Sequence, residues 1–184
     1  VCDNATLSCE SGANFIGNGQ GEEHQRGIEI VGVNNVQING CNIQNFTYGI
    51  YIKNAINITI DDNTISNNNQ TGIYIGEFTK NSTFNNNTLG NSNSLNTQSR
   101  GIWMRSANPT ANGGGNNLIT NNTIFNHTSS GIYLADSSDV NNISGNIIYN
   151  NTNGIINNQS TSTTIRNNSI YSNSLNGITL IENS

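Results

Sequence analysis

Apolar and polar residues repeat along this chain in a fixed order. A Gly-Ile pair returns at Gly27, Gly49, Gly72, Gly101, Gly131, Gly154 and Gly177, at intervals of 22, 23, 29, 30, 23 and 23 residues. An alternating block follows each pair, as in Gly49-Ile50-Tyr51-Ile52 and Gly131-Ile132-Tyr133-Leu134. About ten residues later come two more short alternating stretches, such as Ile58-Thr59-Ile60 and Thr64-Ile65. Alternation marks a strand with one buried face. A period of this size marks a solenoid, in which no single coil can bury its own inner face and stacking creates the core. The pattern predicts about seven coils of roughly 22–30 residues with three short strands each. Residues 1–26 read as a partial coil or cap and residues 27–184 as the repeats.

Aligning the repeats predicts three inward columns. One runs Ile28, Ile50, Ile73, Ile102, Ile132, Ile155 and Ile178; the others start at Ile38 and Ile43. Between the last two columns lies a polar one: Cys41, Asn63, Asn87, Asn122, Asn146 and Asn168. Asparagine tolerates the left-handed turn a corner needs, and stacked amides can hydrogen-bond from coil to coil. The reading for Asn63, Asn87, Asn122, Asn146 and Asn168 is a structural ladder.

The Gly-Ile-x-Ile and Asn-x-Ile pattern resembles the parallel β-helix repeat of pectate-lyase-like proteins. Its closest look is to Asn-rich adhesin-like repeat proteins of archaeal and bacterial cell surfaces. The resemblance spans residues 13–184 and implies an all-β, right-handed parallel β-helix. It says little of activity, because this scaffold carries lyases, hydrolases, epimerases and adhesins alike. The Asn-Thr-Asp and Gly-His-Gly motifs of its hydrolases are absent here. Asp61-Asp62 reads as a solvated corner, and Asp136 and Asp139 show no obvious basic partner. Glu22, Glu23, His24 and Arg26 read as a polar cap. No catalytic residue, metal or cofactor is expected.

Composition narrows the options. Only 9% of residues are charged and the net charge is −5. Six basic residues are too few to neutralise a nucleic-acid backbone. No stretch is long and apolar enough to span a bilayer. Of three cysteines, Cys2 and Cys9 are expected to close a small disulfide loop, with Cys41 buried. Twelve Asn-x-Ser/Thr sequons are present. Asn86, Asn121 and Asn167 head the expected glycosylation sites, followed by Asn57, Asn81 and Asn142.

The position after each Gly-Ile reads Glu29, Tyr51, Tyr74, Trp103, Tyr133, Ile156 and Thr179, which predicts an exposed aromatic stripe. A shorter stripe is Phe125, Tyr149 and Tyr171. The two longest repeats place loops on both sides of the strand Gly101 to Arg105. The candidate carbohydrate or partner site is therefore Tyr51, Tyr74, Arg100, Trp103, Arg105 and Tyr133. Both ends read as parts of a coil that could join head to tail, with lateral contacts through the stripe; a longer parent β-helix explains them equally. The leading expectation is a non-catalytic extracellular or cell-surface protein, structural or adhesin-like, glycosylated and assembling into filaments. The alternative is a carbohydrate-binding or carbohydrate-active β-helix, lyase-like or hydrolase-like, using the Trp103 face.

Overall fold

The computed structural model describes residues 2–10, 13–19, 25–91, 98–105, 115–136, 138 and 140–181. Glu22, Glu23, His24, Asp139 and most of both long loops lie outside the described residues. The described strands form three parallel seven-stranded sheets wound into one solenoid. Sheet A stacks β1 (Thr6–Ser8), β4 (Gln37–Asn39), β7 (Thr59–Asp61), β10 (Thr83–Asn85), β13 (Leu118–Thr120), β16 (Asn142–Ser144) and β19 (Thr164–Arg166). Sheet B stacks β2 (Asn14–Ile16), β5 (Asn42–Gln44), β8 (Thr64–Ser66), β11 (Thr88–Gly90), β14 (Thr123–Phe125), β17 (Ile147–Tyr149) and β20 (Ser169–Tyr171). Sheet C stacks the longer strands β3 (Arg26–Val31), β6 (Tyr48–Lys53), β9 (Thr71–Ile75), β12 (Arg100–Arg105), β15 (Ser130–Ala135), β18 (Asn153–Asn158) and β21 (Asn176–Ile181).

Register follows the isoleucines. Ile50 pairs with Ile73, Ile60 with Phe84, and Ile65 with Leu89, and all six are fully buried. Each strand turns one or two apolar side chains inward. The core is therefore a stack of thin layers, each complete only with its neighbours. Glycine opens sheet C because the solenoid turns tightly there. A Cβ on Gly72 would stand 2.7 Å from the Gly101 carbonyl oxygen and 2.9 Å from Leu89.

Each of the three corners carries a polar ladder. At the A–B corner the side-chain oxygen of each asparagine accepts from the coil before it. Asn63 N donates to Asn87 Oδ1 at 3.0 Å, Asn87 N to Asn122 Oδ1 at 2.9 Å, and Asn122 N to Asn146 Oδ1 at 2.9 Å. Each Nδ2 also donates to a backbone carbonyl, as Asn122 does to Phe84 O at 2.9 Å. The B–C corner uses mixed residues in the order Phe46, Asn68, Gln98, His127, Asn151 and Asn173. The Phe46, Asn68, His127 and Asn151 amides all donate to the next side chain. The C–A corner links Ile58, Ser82, Asn117 and Asn141 in the same way. These bonds satisfy buried amides that no strand partner can reach.

The corner also explains the sequons. Nine of the twelve sequon asparagines have positive φ, the exceptions being Asn69, Asn142 and Asn158. In Asn86-Asn87-Thr88 the first residue makes the left-handed turn, the second is the ladder residue and the third opens a strand. The motif is thus a product of the coil geometry. Asn86, Asn121 and Asn167 are exposed at these turns.

The disulfide expectation is corrected. Cys9 pairs with Cys41, their Cα atoms 5.0 Å apart, and Cys2 is free and exposed. Strand β1 lies on β4 as part of sheet A, and Cys9 N donates to Asn39 O at 3.0 Å. This stacking sets Cys9 over the corner that holds Cys41. The bridge closes a separation of 32 residues, which constrains the unfolded chain by roughly 3–4 kcal/mol.

Candidate functional site

The outer face of sheet C holds the chemistry-bearing side chains. Alternation along β6, β9, β12 and β15 turns Ile50, Ile73, Ile102 and Ile132 inward and Tyr51, Tyr74, Trp103 and Tyr133 outward, in register. Tyr51 and Tyr74 stack, ring centroids 4.8 Å apart. Trp103 meets Tyr74 edge-on at 5.1 Å and Tyr133 at 6.5 Å. The stripe is less exposed than expected: Tyr74 is buried, and Tyr51, Trp103 and Tyr133 are half-buried. The rings cover one another because strands about 4.8 Å apart bring successive aromatics into contact.

Cations overlie the rings. The Arg100 guanidinium carbon sits 4.6 Å from the Trp103 ring and 4.9 Å from Tyr133. Arg26 sits 3.8 Å above Tyr51 and also bonds Glu29. Such contacts are worth about 0.5–2 kcal/mol, more as water is excluded. Lys53 Nζ lies 2.7 Å from Glu77, and Arg105 Nε lies 2.8 Å from Asp136. Arg26, Lys53, Arg100 and Arg105 are four of the chain's six basic residues, all on sheet C. Arg100 differs from the other three: it has no carboxylate partner among the described residues. Its Nε and the Trp103 indole nitrogen are covered without an acceptor.

Burial sets the proton affinities here. It lowers the pKa of the Arg100 guanidinium, with the neighbouring Tyr133 and Tyr48 hydroxyls opposing it. Burial pushes the Tyr74 hydroxyl up to about 12, helped by the negative charge of Glu77. Hydrogen bonds to Glu77 and Asp136 raise Lys53 and Arg105 respectively. At neutral pH the Tyr74 hydroxyl is therefore neutral, and Lys53 and Arg105 stand paired with their carboxylates.

The structure brings Tyr51, Tyr74, Arg100, Trp103 and Tyr133 into one contact network. Arg105 stands apart from it, exposed and tied to Asp136; the expectation that Asp136 lacks a basic partner is corrected accordingly. Sequence reading missed Tyr48 and Arg26. Tyr48 contacts both Tyr51 and Tyr74 at 5.6 Å. Arg26, Tyr48, Thr71 and Arg100 occupy one column, the position before each Gly-Ile. Tracing that column alongside the aromatic one would have found both.

The second stripe is simpler. Phe125, Tyr149 and Tyr171 stack on sheet B with centroids 5.2 Å apart at both steps. Phe125 also fills the space above Gly90, where a Cβ would lie 2.4 Å from its ring.

Among the described residues no group of three His, Cys, Asp or Glu side chains could hold a metal ion. No described helix is long and apolar enough to cross a membrane.

The family described as right-handed beta helix region matches residues 26–184. A comparison with curated proteins finds no match. Among solved structures, the periplasmic alginate epimerase AlgG is similar at a TM-score of 0.75 and 22% identity, over 86% of this chain and 36% of that one. The A-module of the Azotobacter vinelandii mannuronan C-5 epimerase gives 0.65 and 19%, over 80% and 39%. The catalytic domain of a GH87 α-1,3-glucanase in complex with nigerose gives 0.68 and 17%, over 97% and 31%. The chain spans about a third of the length of each. At these identities the likeness establishes the architecture. The leading expectation is corrected here: these two epimerases and the glucanase are carbohydrate-active proteins, which favours the carbohydrate alternative over the non-catalytic adhesin-like reading.

Proposed function

Because the chain belongs to the right-handed β-helix family, we propose that its sheet C face binds an acidic polysaccharide outside the cytoplasm. The observation that carries this is Arg100, held on Trp103 and Tyr133 with no carboxylate among the described residues to neutralise it. Aromatic side chains present flat apolar bodies with polar tips, which suit the CH faces and hydroxyls of a sugar. A guanidinium pairs with a carboxylate through two parallel hydrogen bonds. A uronate offers both. Alginate, mannuronan and an α-1,3-glucan are what the similar proteins are named for, and these names point to polysaccharides as the class.

Binding is better supported than turnover. Proton abstraction needs a base whose pKa lies near the working pH, and Tyr74 is pushed away from that range. The test is equilibrium binding of a fluorescently labelled mannuronate hexamer. The wild type binds it, Arg100→Gln weakens binding about tenfold, and a neutral glucan hexamer of equal length does not compete. Equal competition by the neutral glucan would overturn the acidic-ligand reading. Product analysis of the same mixtures reads turnover directly: shortened, unsaturated or epimerised sugars would assign catalysis to the face.

A further inference from the structure

At the five described exits from sheet C, after β3, β6, β9, β15 and β18, the chain leaves through a left-handed turn. Three of these turns use residues that tolerate positive φ, Gly32 (66°), Asn54 (52°) and Asp136 (52°), and a fourth carries the polar Gln159 (63°). The third coil places Phe78 there, at φ 59°. The hydrogen bonds fix the equivalence, since Gly32 N donates to Lys53 O and Asn54 N donates to Glu77 O, the residue before each next turn. A bulky residue in this conformation is strained, and Phe78 keeps 39% of its surface exposed. A strained aromatic that stays partly exposed beside a cavity is a pointer to function.

Phe78 walls a cavity of about 360 Å³ with Asn54, Ile56 and Lys80. Ile56 is also exposed. The Lys80 ammonium has no ion-pair partner among the described residues, whereas Lys53 is tied to Glu77. The size is at the low end for ligand pockets, which run from about 300 Å³ upward, and it suits one sugar ring. An aromatic face, an aliphatic wall, an amide and a free ammonium match the CH face, hydroxyls and carboxylate of one uronate. The cavity borders the sheet C face. Lys53 ends the strand of Tyr51, and its partner Glu77 precedes Phe78 and acts on Tyr74.

We infer that this corner is a subsite for one acidic sugar unit of the polysaccharide held on sheet C, an inference that rests on the function proposed above. The test uses Phe78→Asn, which installs the residue found at the same turn one coil earlier, and Lys80→Gln. Phe78→Asn keeps a residue suited to the turn and weakens binding of the labelled mannuronate hexamer about three- to tenfold. Lys80→Gln weakens it similarly. Wild-type affinity in both variants, with Arg100→Gln still impaired, overturns the corner subsite and leaves the sheet C reading intact. Weakened binding in Lys80→Gln alone also overturns it, because the ring would then have no role. Failure of the wild type to bind any acidic oligosaccharide overturns both.

Discussion

Two aromatic stripes run along this solenoid, and they differ in everything except the fact of stacking. On sheet B, Phe125, Tyr149 and Tyr171 lie nearly parallel, at 8° and 3°, with no cation over any ring among the described contacts. On sheet C, successive ring planes meet at 12°, 82° and 46°, and Arg26 and Arg100 lie over the rings. A parallel stack is what registered strands give to neighbouring rings without further instruction. The sheet C arrangement asks for more, because Arg100 is partly desolvated with no anion to compensate it among the described residues. Aromatic periodicity alone therefore does not mark a site. The uncompensated charge does.

The severest way to break the comparison is to loosen the corner that joins the two sheets. His127 occupies the B–C ladder between β14, which carries Phe125, and β15, which carries Tyr133. Burial lowers its pKa to about 4, and the Leu89 and Gln98 carbonyls only partly oppose this. Neither ring nitrogen has a well-formed hydrogen bond. The folded protein therefore holds the imidazole neutral. Above the ordinary value of about 6.5 both states are neutral and His127 adds no pH dependence. As pH falls from about 6.5 towards about 4, the unfolded chain takes up a proton that the folded chain refuses, and stability falls by an amount on the order of 3 kcal/mol. Urea melts at pH 7 and pH 4.5 should show the loss, and His127→Asn, the residue used at Asn151, should remove most of it. An unchanged pH profile in the variant would assign the acid sensitivity elsewhere.

A smaller break comes at the A–B corner. Asn122→Ala should destabilise by about 1–3 kcal/mol, since it strips the side-chain acceptor from the buried Asn87 amide and removes the amide bond to the Phe84 carbonyl. The matched control is Asn121→Gly rather than Ala, because Asn121 has φ 55° and an alanine would be strained there. The control should cost less than the ladder change. Equal losses in thermal melts would remove the ladder from the account.

The fold was legible because it is written in triplicate in every coil: the isoleucine columns at Ile28, Ile38 and Ile43 needed only a period to be aligned. One ladder was legible for the same reason. The other two were not, because Phe46, Gln98 and His127 interrupt one and Ile58 and Ser82 the other, so no single letter repeats. The disulfide was misread because Cys2 and Cys9 are near in sequence while Cys9 and Cys41 are near in space, one coil apart. The aromatic stripe was visible as Tyr51, Tyr74, Trp103 and Tyr133. The part played by Arg26 and Tyr48 was not, since it depends on side chains leaning across columns. The backbone anomaly at Phe78 has no sequence signal beyond one extra residue in its turn.

The mildest changes sharpen the contrast between the stripes. Trp103→Ala should lower affinity for a mannuronate hexamer at least as much as Arg100→Gln, and Tyr149→Ala should leave it unchanged. Tyr149→Ala should instead cost about 1 kcal/mol of stability or more, from two lost ring contacts. Raising the ionic strength from about 0.05 to 0.5 M should weaken wild-type binding several-fold, because exposed charge contacts are screened over a few ångströms. Salt-independent binding would mean that the rings, and not the guanidinium, select the ligand.

The chain contains a single tryptophan, so its indole N–H gives one resonance in an amide correlation spectrum. That resonance reports from beneath the Arg100 guanidinium. On titration with a mannuronate hexamer the account predicts that it shifts and saturates, and that a carboxyl-reduced hexamer of the same length leaves it in place. An indole resonance that stays fixed while the acidic hexamer binds would put the ligand on another surface and contradict the assignment of sheet C.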